Sequence, residues 1–248
     1  MDNQEQIPRI IHYCWFGRGE KPKKIKACMK SWNKYLPGYR FIEWNEDSFD
    51  INSNQYVQEA YKARKFAFVS DYVRLHALYH HGGVYLDTDV EVLKPLEPLL
   101  HHDAFSGFED ENFLQSGTMG ATAEHPWIEM LLKYYANRAF LLPDGTYDML
   151  TNTAVISDIC KREGLLLNGK EQMIGNGVAI YPREYFSPYD YINGGNFITA
   201  ESYTIHHFSQ SWLPAHVRLK SNIKRMASRI VGPKFISRMR KLLSPIPK

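Results

Sequence analysis

The sequence has few of the features that mark a secreted or membrane-spanning chain. Only three of its 248 residues are cysteine: Cys14, Cys28 and Cys160. An odd number without metal-site spacing argues against a disulfide framework and reads as three reduced thiols in a reducing compartment. No apolar run approaches the roughly 18 residues that a membrane-spanning helix needs. The opening MDNQEQIPRI has neither a basic n-region nor an apolar h-region, so no signal peptide is expected. Internal repeats and low-complexity stretches are also missing. At 44% hydrophobic and 23% charged residues, the composition excludes a disordered tail, a collagen-like repeat and a disulfide miniprotein. The expectation is a cytoplasmic globular protein, not integral to a membrane, with a core large enough to carry a cleft.

Aromatic residues, by contrast, are plentiful: 16 Tyr, 13 Phe and 5 Trp, suited to stacking surfaces as well as to a large core. The net charge of +3 hides an asymmetry. From Leu213 onward there are ten basic residues and no Asp or Glu, which leaves 20 basic against 27 acidic residues in the rest. An acidic body with a basic arm suggests an anionic partner for the arm.

The order of elements reads as α/β. Residues 7–16 read as a buried strand and 23–35 as a helix with Ile25, Cys28, Met29 and Trp32 on one face. Residues 39–44 read as a second strand, followed by helices over about 55–65 and 67–81. The latter stops at Gly82-Gly83. VYLDTDVEVL then reads as one apolar strand broken by two acids. In the second half, 126–136 and 152–162 read as helices and 178–181 and 203–208 as strands. Pro214 marks the end of the compact part, which predicts a single domain over 1–214 and an extension over 215–248. In that extension Leu219, Ile223, Met226 and Ile230 share one helical face ringed by Lys and Arg. This pattern favours an anionic membrane surface over nucleic acid as its partner.

Asp87-Thr88-Asp89 carries the chemistry. Two carboxylates in mid-strand are costly to bury unpaired, but they are tolerable at a strand end that faces a cleft, with a divalent cation between them. Oxygen ligands suit Mg²⁺ or Mn²⁺, which in turn hold phosphate oxygens. One helix upstream, Asp71 and Arg74 stand three apart and so share a helix face. A D-x-D phosphatase is a weaker reading, because that chemistry wants the motif on the first strand with a small Gly-Thr pair behind it. Here Val90-Glu91 follows.

The run FAFVSDYVRLHALYHHGGVYLDTDVEV resembles the D-x-D sugar-binding region of family 32 glycosyltransferases, which include yeast Golgi mannosyltransferases and bacterial capsule and lipopolysaccharide transferases. It is more distantly similar to the glucosyltransferase domains of the large clostridial toxins. The opening IPRIIHYCWFG and the segment IHHFSQSW also resemble the start and end of such transferases, so the similarity covers roughly residues 7–212. It implies a GT-A type, Rossmann-like fold with a mixed central sheet, and a metal-dependent, retaining hexosyltransferase of surface polysaccharide synthesis. The donor would be a nucleotide sugar, with UDP-sugars favoured, and the acceptor a glycan or a lipid-linked molecule. By the same resemblance Trp15 would stack on the donor base, and Asp71 and Arg74 would hold hydroxyls of the transferred sugar. Tyr85 would line the pocket below the diphosphate, Asp87 would contact ribose or sugar hydroxyls and reach the cation directly or through water, and Asp89 would be the direct metal ligand. His207 is the chosen third metal ligand and His206 the alternative, since neighbours in a strand face opposite ways. Ser211 and Trp212 would close over the diphosphate, although the toxins have one more residue between them. No acid in the sequence is assigned as a nucleophile. A catalytically silent sugar-binding scaffold on the same fold is the rival reading.

Overall fold

The computed structural model describes residues 5–190 and 195–208. A seven-stranded mixed sheet forms its centre. The strands in chain order are β1 (Ile10–Cys14), β2 (Arg40–Trp44), β3 (Gly83–Leu86), β4 (Val90–Val92), β5 (Ala104–Gly107), β6 (Thr118–Ala121), β7 (Gln172–Ile174), β8 (Val178–Tyr181) and β9 (Thr204–His206). The large sheet has the order β2-β1-β3-β6-β5-β8-β7, and β4 pairs with β9 in a separate two-stranded ribbon. β1 runs parallel to β2 and β3, and β5 runs parallel to β8. β6 is antiparallel to both β3 and β5. The helices are α1 (Lys23–Tyr35), α2 (Gln55–Lys62), α3 (Phe66–His81), α4 (Pro126–Lys133), α5 (Asn152–Arg162) and the short α6 (Arg183–Phe186).

Strand alternation sorts the core into two layers. Ile11 and Tyr13 of β1, with Val84 and Leu86 of β3, pack with Trp32 of α1, Val90 and Val92 of β4, and Phe186 of α6. Cys14 and Tyr85 face the other way, into the layer of α2, α3, α4 and α5 that includes Val69, Val73, Trp127 and Ile156. Tyr85 and Asp87 therefore share a parity, and both are directed to the α3 side.

The predicted single strand over residues 84–93 is two strands in two different sheets. After Leu86 the chain stays paired for one more bond, Asp87 N–H to Gly117 O at 2.8 Å, and then turns, with Val90 N–H bonded to Asp87 O at 2.9 Å. The two carboxylates thus sit in a turn at the carboxyl end of β3, where open α/β sheets bind ligands. α1 holds the outgoing strand: Trp32 Nε1–H donates to Val90 O at 2.8 Å and Ser31 Oγ accepts from Val92 N–H at 2.8 Å.

At Gly82-Gly83 the expected helix stop is present for a visible reason. Both residues have positive φ, +60° and +110°, and an added Cβ at Gly83 would come 2.6 Å from Ile10 O. The predicted helix over 55–65 is shorter, ending at Lys62, and 126–136 ends its α-helical part at Lys133. The three cysteines are free and buried, and burial pushes the Cys14 and Cys160 thiols up to about 12. The expected domain boundary at Pro214 and the extension over 215–248 lie outside the described residues.

Candidate functional site

The site is assembled from four segments around the turn after β3. α3 supplies Asp71 and Arg74, both buried. Arg74 is the hub. Its Nη2 lies 3.0 Å from Asp71 Oδ1 and 3.3 Å from Asp87 Oδ1, and Nη1 donates to Ser116 O at 2.9 Å and to the Ser116 hydroxyl. Nε donates to Ser70 O at 3.2 Å, and the guanidinium lies 4.8 Å from the centre of the Tyr85 ring. Tyr85 O–H donates to Asp87 Oδ1 at 2.9 Å. Burial works against the charge on Arg74, but Asp87, Tyr85 and Asp71 more than offset it, so the guanidinium stays protonated. Asp71 goes the other way. Burial outweighs its pairing with Arg74, Asp87 adds repulsion, and its carboxyl is raised to about 7.

β9 brings the third group. Asp87, Asp89 and His206 place one ligand atom each within 4.8 Å of one another. His206 Nε2 lies 3.2 Å from Asp89 Oδ1 and 3.9 Å from Asp87 Oδ2. Its Nδ1 is buried without a hydrogen-bond partner among the described residues. Burial disfavours the imidazolium, but Asp89, hydrogen-bonded to it, and then Asp87 and Glu109, raise it to about 9. A Cβ at Gly117 would come 3.1 Å from both Asp87 Oδ2 and His206 Nδ1, so the glycine keeps this small cradle open. Two carboxylates and an imidazole, with an unspent ring nitrogen, are a donor set that fits a divalent cation.

The geometry separates the two histidines. His207, the first choice from the sequence, turns away from the D-x-D turn, with its Nε2 2.8 Å from Glu91 Oε2. His206 is the one brought to Asp87 and Asp89. Adjacent residues of a strand alternate faces, and only the pairing with β4, in which Val90 lies opposite His206, decides which one faces inward.

Trp15 follows β1 at the same carboxyl edge of the sheet. It is half-buried, its Nε1–H donates to Gly19 O at 2.6 Å, and Lys21 Nζ lies 5.3 Å from the ring centre. Ser211 and Trp212 are outside the described residues.

Three residues escaped the sequence reading. Ser116 and Gly117 end the segment FEDENFLQSG between β5 and β6, which has no periodicity to reveal them. His12 of the I-H-x-x-W run is fully buried. Trp44 Nε1–H donates to its Nδ1 at 3.1 Å, so Nε2 carries the proton and donates to Gly82 O at 2.9 Å. Burial holds this ring neutral, lowered to about 4. It ties β1 to the end of α3.

Residues 22–106 match the family described as "Glycosyltransferase sugar-binding region containing DXD motif". Among named proteins, the chain is 30% identical over 142 residues to inositol phosphoceramide mannosyltransferase 3 of Schizosaccharomyces pombe, which covers 54% of this chain and 38% of that one. It is 24% identical over 225 residues to the uncharacterized glycosyltransferase L373 of Acanthamoeba polyphaga mimivirus, covering 86% of each. The chain spans less than half the length of the fission-yeast relatives it matches. Among solved structures, the galactosyltransferase LgtC in complex with donor and acceptor sugar analogs aligns over 96% of this chain and 98% of that one, at 13% identity and a TM-score of 0.44.

Proposed function

We propose that this chain, which carries a glycosyltransferase sugar-binding region of the DXD type over residues 22–106, transfers a hexose from a nucleotide sugar to a hydroxyl acceptor. The observation that carries the reading is the continuous ion-pair chain Asp71–Arg74–Asp87, buried at Asp71 and Arg74 and half-buried at Asp87, which ends in the Asp87, Asp89 and His206 group. A buried ion-pair network costs desolvation, and a fold has cheaper ways to fill such a space. Its expense makes sense as pre-organisation of polar groups against a ligand.

In this reading Asp87, Asp89 and His206 hold Mn²⁺ or Mg²⁺, which supplies Lewis acidity to the diphosphate when bound. Asp71 and Arg74 hold hydroxyls of the transferred sugar, and Tyr85 fixes the Asp87 carboxylate. Trp15 offers an indole face to the base. Ser211 and Trp212 remain proposed for the diphosphate. The step we propose retains configuration. The acceptor oxygen forms a bond to the anomeric carbon on the face from which the phosphate departs. The bond to the phosphate oxygen breaks, that oxygen takes the electron pair, and the acceptor's hydroxyl proton passes to it. A GT-A type fold accords with the mixed sheet and the placement of the acids after β3.

The donor is proposed from two sides. The residues resemble transferases that use UDP-sugars, while the first relatives are named mannosyltransferases, which puts GDP-mannose on equal footing. Those relatives' names also specify inositol phosphoceramide, so a lipid-linked acceptor is the class we favour over a free glycan. With such an acceptor the basic arm over 215–248 would hold the enzyme at the inner face of an anionic membrane. No helix among the described residues is long and apolar enough to cross a bilayer.

The test is hydrolysis of UDP-glucose, UDP-galactose, UDP-N-acetylglucosamine and GDP-mannose, with and without Mn²⁺. Metal-dependent release of one nucleoside diphosphate supports the reading and names the donor. Stabilisation by a nucleotide sugar without any turnover would instead support a silent sugar-binding protein.

A further inference from the structure

One charged pair at the same edge of the sheet has no part in the donor site. Strands β3, β5 and β8 all run in one direction, so the residues that follow them emerge on one side. Asp87 follows β3. Glu109 lies two residues after Gly107, the end of β5, and Arg183 two residues after Tyr181, the end of β8. Gly107 and Tyr181 are partners in the parallel register, and Phe108 N–H donates to Tyr181 O at 2.9 Å. Glu109 and Arg183 thus each lie two residues beyond the last partnered pair of parallel strands, and their charges interact.

Both side chains have capacity to spare. The Glu109 carboxylate makes no hydrogen bond among the described residues, although its backbone N–H is fixed to Phe113 O at 2.8 Å. Arg183 Nε is buried and has no hydrogen-bond partner there. Its guanidinium lies 4.5 Å from the centre of the Phe197 ring. Phe197 and Phe113, which flank the pair, are 43% and 39% exposed. A carboxylate, a guanidinium and half-exposed aromatic rings are the chemistry that recognises a sugar ring: charged groups take the hydroxyls and the rings cover the apolar C–H face. Glu109 also feels the charges of His206 and Asp87, so it borders the proposed cation site without belonging to the ligand group. Two strand steps, roughly 10 Å at the usual spacing, separate β3 from β5, a span across which a donor sugar and an acceptor ring can meet.

We propose that Glu109 and Arg183 form the acceptor subsite, in which they orient a pyranose whose hydroxyl receives the transferred sugar. This rests on the glycosyltransferase reading above. The acceptor oxygen attacks as already described. Glu109 accepts a hydrogen bond from a neighbouring acceptor hydroxyl, and Arg183 donates to another.

The experiment uses the full chain with Mn²⁺ and whichever nucleotide sugar it hydrolyses, with p-nitrophenyl glucoside, galactoside, mannoside and N-acetylglucosaminide as acceptor probes. The readout is the ratio of transfer to hydrolysis, because water competes for the same donor. Glu109→Gln keeps the shape of the side chain. It is expected to lower that ratio ten- to a hundredfold and to raise the acceptor KM, as loss of a charged hydrogen bond does. Phe197→Ala, at an exposed ring, is expected to lower the ratio in the same sense. An unchanged ratio in both variants overturns the subsite, even if total turnover falls, since the residues would then act on the donor or the cation. A wild type that hydrolyses donor but transfers to none of the four glycosides overturns the pyranose assignment. A wild type that hydrolyses no donor defeats the glycosyltransferase reading itself, which the hydrolysis arm reveals separately.

Discussion

Asp71 sits where burial and charge pull in opposite directions, and the outcome is measurable. Its carboxyl is raised from 3.8 to about 7, with burial the largest cause. A raised carboxyl contributes most to stability when protonated, and that contribution is lost as pH rises through the folded value. Asp71 therefore destabilises the fold increasingly between about pH 4 and pH 7. Asp71→Asn removes this charge and leaves Arg74 its contacts to Asp87 and Ser116. The variant is expected to match or exceed the wild-type Tm at pH 8, with the advantage shrinking towards pH 4, while sugar transfer falls at least tenfold. Thermal melts across that pH range together with an activity assay check both halves. A Tm at pH 8 well below wild type would make the carboxylate a structural anchor.

The ligand group gives a second test at this scale. Asp89→Ala is expected to abolish Mn²⁺ binding by calorimetry and donor hydrolysis with it, since the carboxylate is one of two in the group. His206→Ala is expected to weaken Mn²⁺ at least tenfold. His207→Ala, which removes only a contact to the half-exposed Glu91, is expected to cost less than threefold. Equal losses in the two histidine variants would undo the distinction drawn here. This choice was illegible in the sequence because alternation states that one of two neighbours faces inward without saying which.

The elements that were legible are those with a strong pattern. α1 begins and ends where its apolar spacing predicts, α5 matches its predicted bounds, and β8 falls on the predicted Val178–Tyr181. β5 and β6, AFSG and TMGA, were missed because each holds a glycine and a single large apolar side chain, so, unlike the equally short and buried VAIY of β8, neither shows an apolar run. Gly120 lies under the Phe105 ring, where a Cβ would overlap it, and a glycine in mid-strand reads from sequence as a break. The split of VYLDTDVEVL into β3 and β4 was hidden for another reason. Only the partner strands β6 and β9, distant in sequence, reveal that two sheets are involved. The bridge between these sheets yields the next expectation. Trp32→Phe removes the donor to Val90 O and leaves that buried carbonyl unpaired, at a cost of about 1–3 kcal/mol. Because Asp89 precedes Val90 directly, Mn²⁺ affinity should fall along with stability. Calorimetry and urea melts on the same variant measure both, and lost stability with unaltered affinity would show that α1 plays no part in holding the turn.

At the scale of the whole molecule, the charge separation is the feature left to explain. Residues from Leu213 on carry ten basic and no acidic side chains, while the rest has a net charge of −7. If the arm only balanced the body, its apolar residues would have no reason to recur at Leu219, Ile223, Met226 and Ile230, the spacing of one helical face. An anionic bilayer would satisfy both patterns, because these apolar residues would enter the headgroup boundary while each Lys or Arg near the surface would add about 1 kcal/mol. Such docking would confine the enzyme and a lipid-linked acceptor to one surface, and so would replace a three-dimensional search with a two-dimensional one. The full chain is expected to sediment with phosphatidylserine vesicles at low salt and to release as salt rises, because the charge term is screened. A chain cut at Pro214 is expected to stay folded by circular dichroism, to hydrolyse donor at a comparable rate and to remain in the supernatant. If the cut chain unfolds, the apolar stripe packs against the enzyme itself. If the full chain ignores the vesicles, the arm serves some other anionic partner.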